Sequence, residues 1–238
     1  WLMERLISFA NSNIVSNRFL QNKFSGTLIY HCRDTSILDP DKFDSESIKN
    51  RFGLNNKKVV MFLGTPRAHK GIQELFMAIE KINDPDVILV LVGADFSIQK
   101  HIDNMKLNQD KIVVFPQISF KDLPEYLAVA DMLVIPQRRT TDTEGQIPAK
   151  LFDAMAMAKP IITTPISDIP DVLGENGFFI EPEDPDQLAN TIEYILSHPE
   201  EALLKGKMAR ERCKELYDLK VMEKELNLQI EKLKLRHS

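Results

Sequence analysis

Glu144 and Gly145 stand between an apolar run, Met132 to Pro136, and a helix-forming stretch that carries Lys150 and Asp153 near its start. This set of residues suits an anionic ligand that also bears hydroxyls. Free backbone N–H groups where the helix begins, near Ile147, would face a phosphate, and the helix dipole favours negative charge there. Lys150 adds a point charge. Glu144 and Asp153 are acceptors only when ionised, so they suit sugar or ribose hydroxyls. The competing reading makes Glu144 a plain loop residue and Lys150 with Asp153 an i,i+3 pair on a solvated helix face.

A second segment narrows the choice. Val59-Val60-Met61-Phe62-Leu63 is a short β-branched and apolar run that ends in Gly64-Thr65-Pro66-Arg67-Ala68-His69-Lys70-Gly71. Ile72, Leu75, Phe76, Ile79 and Ile82 then recur at helical spacing. A strand, a tight cationic loop and a helix in that order place the loop at the carboxyl edge of an open α/β sheet, where crevice ligands bind. Arg67 and Lys70 could meet a diphosphate between them. Arginine's fork and lysine's mobile ammonium together can neutralise a leaving diphosphate without a metal.

These two segments, with Ile112-Val113-Val114-Phe115 and with Leu123, Tyr126, Ala130 and Asp131 between them, resemble the donor-binding half of retaining glycosyltransferases of the GT-B fold, the group 1 or GT4 type. The resemblance runs over residues 25 to 236. It implies a doubly wound Rossmann-like parallel sheet and transfer of a sugar, of hexosyl type, from a nucleotide diphosphate donor to a hydroxyl with retention of configuration, in polysaccharide or glycoconjugate synthesis. It further implies that Lys70, helped by Arg67, contacts the donor diphosphate and that Glu144 holds the donor sugar, these three carrying the chemical step. Thr65, Gly145, Gln146, Ile147, Pro148 and Lys150 would line sugar and phosphate, Asp153 would hold the ribose, and Gln117 and Ile118 would meet the base. Gly93 would let the chain pass close to the ligand. UDP-sugars rank ahead of GDP-sugars as donors, with no tightly bound metal or other cofactor. The chain departs from the family in two places. Glu144 and Asp153 lie one residue further apart than the family's paired glutamates, and Thr65 stands where its loop arginine is usual.

The same resemblance divides the chain into residues 1–24, a remnant of an amino-terminal domain or its linker; 25–198, the nucleotide-sugar-binding domain; and 199–238, helices that pack on it and cross to the partner domain. That amino-terminal acceptor domain is expected in cis or as a separate chain, carries any peripheral membrane association, and is required for activity.

The elements needed to position these residues alternate as a doubly wound sheet requires. Strands are expected at 27–30, 58–64, 87–93, 112–115, 132–136, 160–164 and 177–180. Helices are expected at 71–82, 96–105, 121–130, 147–158 and 185–196, with turns at 168–171 and 182–185. From Glu200 onward the chain is charged and helical. Arg138 and Arg139 read as a solvated pair.

Composition excludes several classes. Apolar residues make up 43% and charged residues 27%, an ordinary globular balance. The net charge of −5 argues against a nucleic-acid partner. No apolar run approaches the ~18 residues that span a bilayer, and Glu4 and Arg5 interrupt any leader pattern. The cytoplasm is the expected location. Cys32 and Cys213 have no ligand or disulfide spacing, and the histidines are scattered. Alternatives are a non-catalytic nucleotide-sugar-binding or regulatory subunit, half of a nucleotide-sugar epimerase, or a generic doubly wound domain.

Overall fold

The computed structural model describes residues 3–94, 97–105 and 107–237. The chain first builds a small unit in which β1 (Ile14–Val15) pairs in parallel with β2 (Thr27–Leu28) across α1 (Arg18–Phe24). Helix α2 (Ser45–Arg51) follows, capped by Asp44. Strand and helix then alternate through β3 (Lys58–Leu63), α3 (Ile72–Lys81), β4 (Val87–Val92), α4 (Ser97–Asn104), β5 (Ile112–Phe115), α5 (Leu123–Ala128) and β6 (Met132–Ile135). After β6 come α6 (Thr141–Glu144), α7 (Ala149–Ala156), β7 (Ile161–Thr163), α8 (Ile169–Leu173), β8 (Phe178–Phe179), α9 (Pro185–Ser197), α10 (Pro199–Leu216) and α11 (Leu219–His237).

Six strands form one sheet in the order β5-β4-β3-β6-β7-β8, every pair parallel. The central strands are buried on both faces, which is why they read as unbroken apolar runs. Period 2 sorts their side chains. Val59, Met61 and Leu63 join one core with α5, α7 and α8, while Val60 and Phe62 join the other with α3 and α9. The chain moves outward from β3 to β4 and β5, then returns to the far side of β3 as β6. The crevice between β3 and β6 is therefore the topological switch point, and the loops after these two strands flank it.

Four local expectations need correction. Residues 27–30 contribute a two-residue strand to the small unit and lie outside the main sheet. Residues 168–171, expected as a turn, begin helix α8 with Pro170 in its first turn, where a missing N–H costs nothing. Helix α7 starts at Ala149, not at Ile147, because a residue before proline is pushed out of the α region and Pro148 itself is extended. Glu144 closes the short helix α6, begun by a Thr140–Thr143 capping box. The expected start at Phe96 lies outside the described residues. The carboxy-terminal helix is broken at Tyr217 and Asp218, where Arg33 N–H donates to Tyr217 O and Leu219 N–H to Arg33 O, both at 2.9 Å. Among the described residues no helix is long and apolar enough to cross a membrane.

Candidate functional site

The loops after β3 and β6 are stitched together. Gly71 ends the first loop with φ 72°, and a Cβ there would lie 1.7 Å from Pro136 O, so only glycine admits the approach. Arg138 N–H donates to His69 O at 3.0 Å. At the strand ends, Gly64 and Gly93 both have positive φ and pack on each other: a Cβ on Gly93 would meet Gly64 Cα at 3.2 Å. Around Gly64 no atom comes within 4 Å of such a Cβ, so its far side opens on the crevice. The close approach at Gly93 is thus to Gly64.

Lys70 sits in the one-turn helix Ala68–Lys70, and its Nζ donates to Thr65 O at 3.0 Å. Burial, then the neighbouring Arg67, holds its pKa below the usual lysine value. Arg67 and Thr65 are exposed at the rim. Lys150 lies deeper. Its Nζ donates to Leu63 O at 2.7 Å and stands 3.9 Å from the centre of the Phe62 ring. Desolvation first, and then Lys70, bring its pKa down to about 7. Two cations from separate elements thus converge at the end of β3.

Lys150 and Asp153 are 9% and 5% exposed, so neither lies on a solvated face. The expectation that Asp153 holds a ribose meets a prior claim on its carboxylate: Arg33 Nε donates to Asp153 Oδ1, and Arg33 Nη2 donates to Ala149 O at 3.0 Å. Burial raises the Asp153 pKa, opposed by Arg33. Arg33 had no sequence signal. It stands in a linker without periodicity, 120 residues from its partner.

Glu144 is partly exposed, with Arg139 Nη1 3.7 Å from its carboxylate. Gly145 O accepts from Asn17 Nδ2 at 2.7 Å, and Gln146 points outward. Ile147 is buried in the α7-side core, so only its backbone is available to a ligand, while Pro148 is half-buried. Gln117 is exposed and Ile118 packs on the core, both past the end of β5, two strands from β3. Arg138 is not solvated as expected: Glu74 and Gln73 accept from it at 2.8 Å each. At the opposite end of the sheet a cavity of about 470 Å³ is lined by Lys49, Lys57, Lys58 and Lys159. Each of these is engaged already, by Asp131, Asp86, Asp84 and the Ala128 and Ala130 carbonyls respectively. At the β3–β6 crevice, by contrast, Lys70 and Lys150 are held by backbone carbonyls and not by carboxylates.

Residues 57–198 match the family described as glycosyl transferases group 1. The spore coat protein SA of Bacillus subtilis is 30% identical over 69% of this chain and 46% of its own length. A GDP-mannose-dependent phosphatidylinositol monomannoside mannosyltransferase of Mycolicibacterium smegmatis is 25% identical over 74% of the chain and 48% of its own. The chain spans about half the length of these curated relatives. Among solved structures, sucrose-phosphate synthase from Thermosynechococcus elongatus superposes with a TM-score of 0.83 at 22% identity, over 99% of this chain and 61% of that one. Anabaena HepE in complex with UDP does so with a TM-score of 0.82 at 18% identity, over 95% and 65%. The sheet order, the crevice loops and these matches agree: the chain belongs to the glycosyl transferases group 1 family and has the Rossmann-like architecture of the GT-B fold.

Proposed function

We propose that this chain is the donor-binding half of a retaining glycosyltransferase of the GT4 type, moving a hexosyl group from a nucleotide diphosphate sugar to a hydroxyl. The observation that carries the reading is the convergence of Lys70 and Lys150 at the end of β3, opposite the loop that leads into α7. Two ammonium groups in a partly desolvated crevice stabilise charge developing on a departing diphosphate far more than they would in water. Lys150 does this from the crevice floor and Lys70 from its wall, with Arg67 at the rim. Glu144, the acid nearest the loop Gly145–Pro148, takes hydroxyls of the donor sugar.

UDP-sugars are proposed ahead of GDP-sugars. HepE is seen with UDP, while one curated relative is named for GDP-mannose, so both bases are tested. The acceptor is assigned to an amino-terminal domain, in keeping with relatives of whose length the match covers about half. Residues 1–24 are proposed as its edge or linker, 25–198 as the donor domain and 199–238 as the helices that reach back toward it. A cytoplasmic location is proposed, with any membrane contact made through the acceptor domain.

Calorimetric titration with UDP, GDP and their common sugar conjugates tests the reading. Lys70→Ala should weaken nucleotide and conjugate alike, by about tenfold or ~1.4 kcal/mol. Glu144→Ala should weaken only the conjugate. A folded chain that binds neither nucleotide at millimolar concentration would overturn the proposal.

A further inference from the structure

Two side chains from the segment ahead of the main sheet end on the backbone of the loop that enters α7. Asn17 Nδ2 donates to Gly145 O at 2.7 Å, and Arg33 Nη2 donates to Ala149 O at 3.0 Å.

The donors are themselves immobilised. Asn17 is fully buried, and its Oδ1 accepts from Leu20 N–H at 2.7 Å, so both ends of the amide are committed. Arg33 places Nε on Asp153 and Nη1 on Cys32 O at 2.7 Å, and its backbone bridges Tyr217 and Leu219 at the break between α10 and α11. His31 lies edge-on to Phe152 of α7, ring centres 5.9 Å apart. The stretch from Gly145 to Ala149 is thus gripped at both ends from a segment more than a hundred residues away.

The grip bears on anion binding through the peptide plane. In a trans peptide the N–H points opposite to the C=O before it. Holding Ala149 O therefore also sets the direction of Lys150 N–H, one of the first-turn donors that have no partner inside the helix. Donors already aimed need no ordering when a charged ligand arrives, whereas a free loop would lose affinity to that ordering.

We infer that Asn17 and Arg33 are positioning residues of the donor site, holding the 145–149 loop and the start of α7 in the form that receives a nucleoside diphosphate. The inference rests on the donor-site reading above. Arg33 also connects this loop to the α10–α11 break, so the nucleotide site and the carboxy-terminal helices share one fixed point.

The test compares wild type with Asn17→Asp and Arg33→Lys. The first keeps an acceptor for Leu20 and removes the donor to Gly145. The second keeps a cation for Asp153 and removes the forked reach to Ala149. Each protein is titrated with whichever of UDP and GDP binds, and with its parent nucleoside by NMR. Each variant should bind the diphosphate about tenfold more weakly and the nucleoside within about twofold of wild type, while the amides of Gln146 and Lys150 exchange faster in the unliganded protein. General loss of structure would weaken both ligands together, and the thermal melt identifies it. Unchanged diphosphate affinity, or equal losses for both ligands, overturns the inference and leaves the donor reading standing. If wild type binds neither diphosphate, the donor reading fails first.

Discussion

Lys150 shows most directly what one residue does here. Its ammonium is taken from water, given one carbonyl and set beside a second lysine, and its pKa falls to about 7 from 10.5. The unfolded chain therefore holds this proton over a pH range in which the folded chain has released it, and stability from this group rises as pH climbs from about 7 toward 10.5. Below pH 7 both states are charged and the burial penalty is felt in full. Lys150→Met should accordingly raise the melting temperature at pH 6, with the gain fading toward pH 10. A diphosphate reverses the balance by favouring the charged form, so nucleotide affinity should fall as pH rises from about 7 to 9 and binding should take up a fraction of a proton. Calorimetry in buffers of different ionisation enthalpy measures that uptake, and Lys150→Met should abolish it. Lys150 as a site cation was legible from its place near a helix start. Its burial was not, because a lysine flanked by apolar residues is ordinarily drawn to the surface by the hydration of its charge.

Among the elements, the loop from Gly64 to Gly71 decides the geometry of the crevice. Gly71 has left-handed φ and lies against Pro136 O, so it both begins α3 and sets the loop against the end of β6. Gly71→Ala combines backbone strain with a backbone clash and should lower stability by at least ~2 kcal/mol, read as a shift in the urea midpoint. It should also weaken nucleotide binding by displacing Lys70. The strand–loop–helix unit was legible because β-branched runs, a glycine-bounded turn and helical spacing all agree locally. The start of α7 was misplaced by two residues because the proline rule was outweighed by the apolar periodicity of Ile147, which is buried but not helical.

Over the whole molecule, Arg210 of α10 fastens distant segments to one another. Its guanidinium donates to Leu38 O at 2.6 Å, to Ala156 O at the end of α7, and to Asp39 at 2.9 Å, and it is 9% exposed. The linker, the site helix and the carboxy-terminal helix thus share one cation. Arg210→Ala would leave these acceptors unpaired and should cost ~3 kcal/mol in chemical denaturation. Further along, Thr27 Oγ1 donates to Gln229 at 3.1 Å, so α11 returns to the small amino-terminal unit.

Side-chain period and turn chemistry, each read within a few residues, were enough for the alternation of strand and helix, the parallel sheet and the loop that carries Lys70, while the helix that ends in Glu144 was not read from them. Tertiary structure alone decided that Asp153 is bound to Arg33, that Lys150 is enclosed beneath β3, and that Asn17 and Arg33 hold the loop before α7. Those pairings join residues between 87 and 128 positions apart. Local periodicity carries no information about which distant donor reaches a given carbonyl or carboxylate. That is settled only when the packed sheet excludes water and each buried polar group must find a partner.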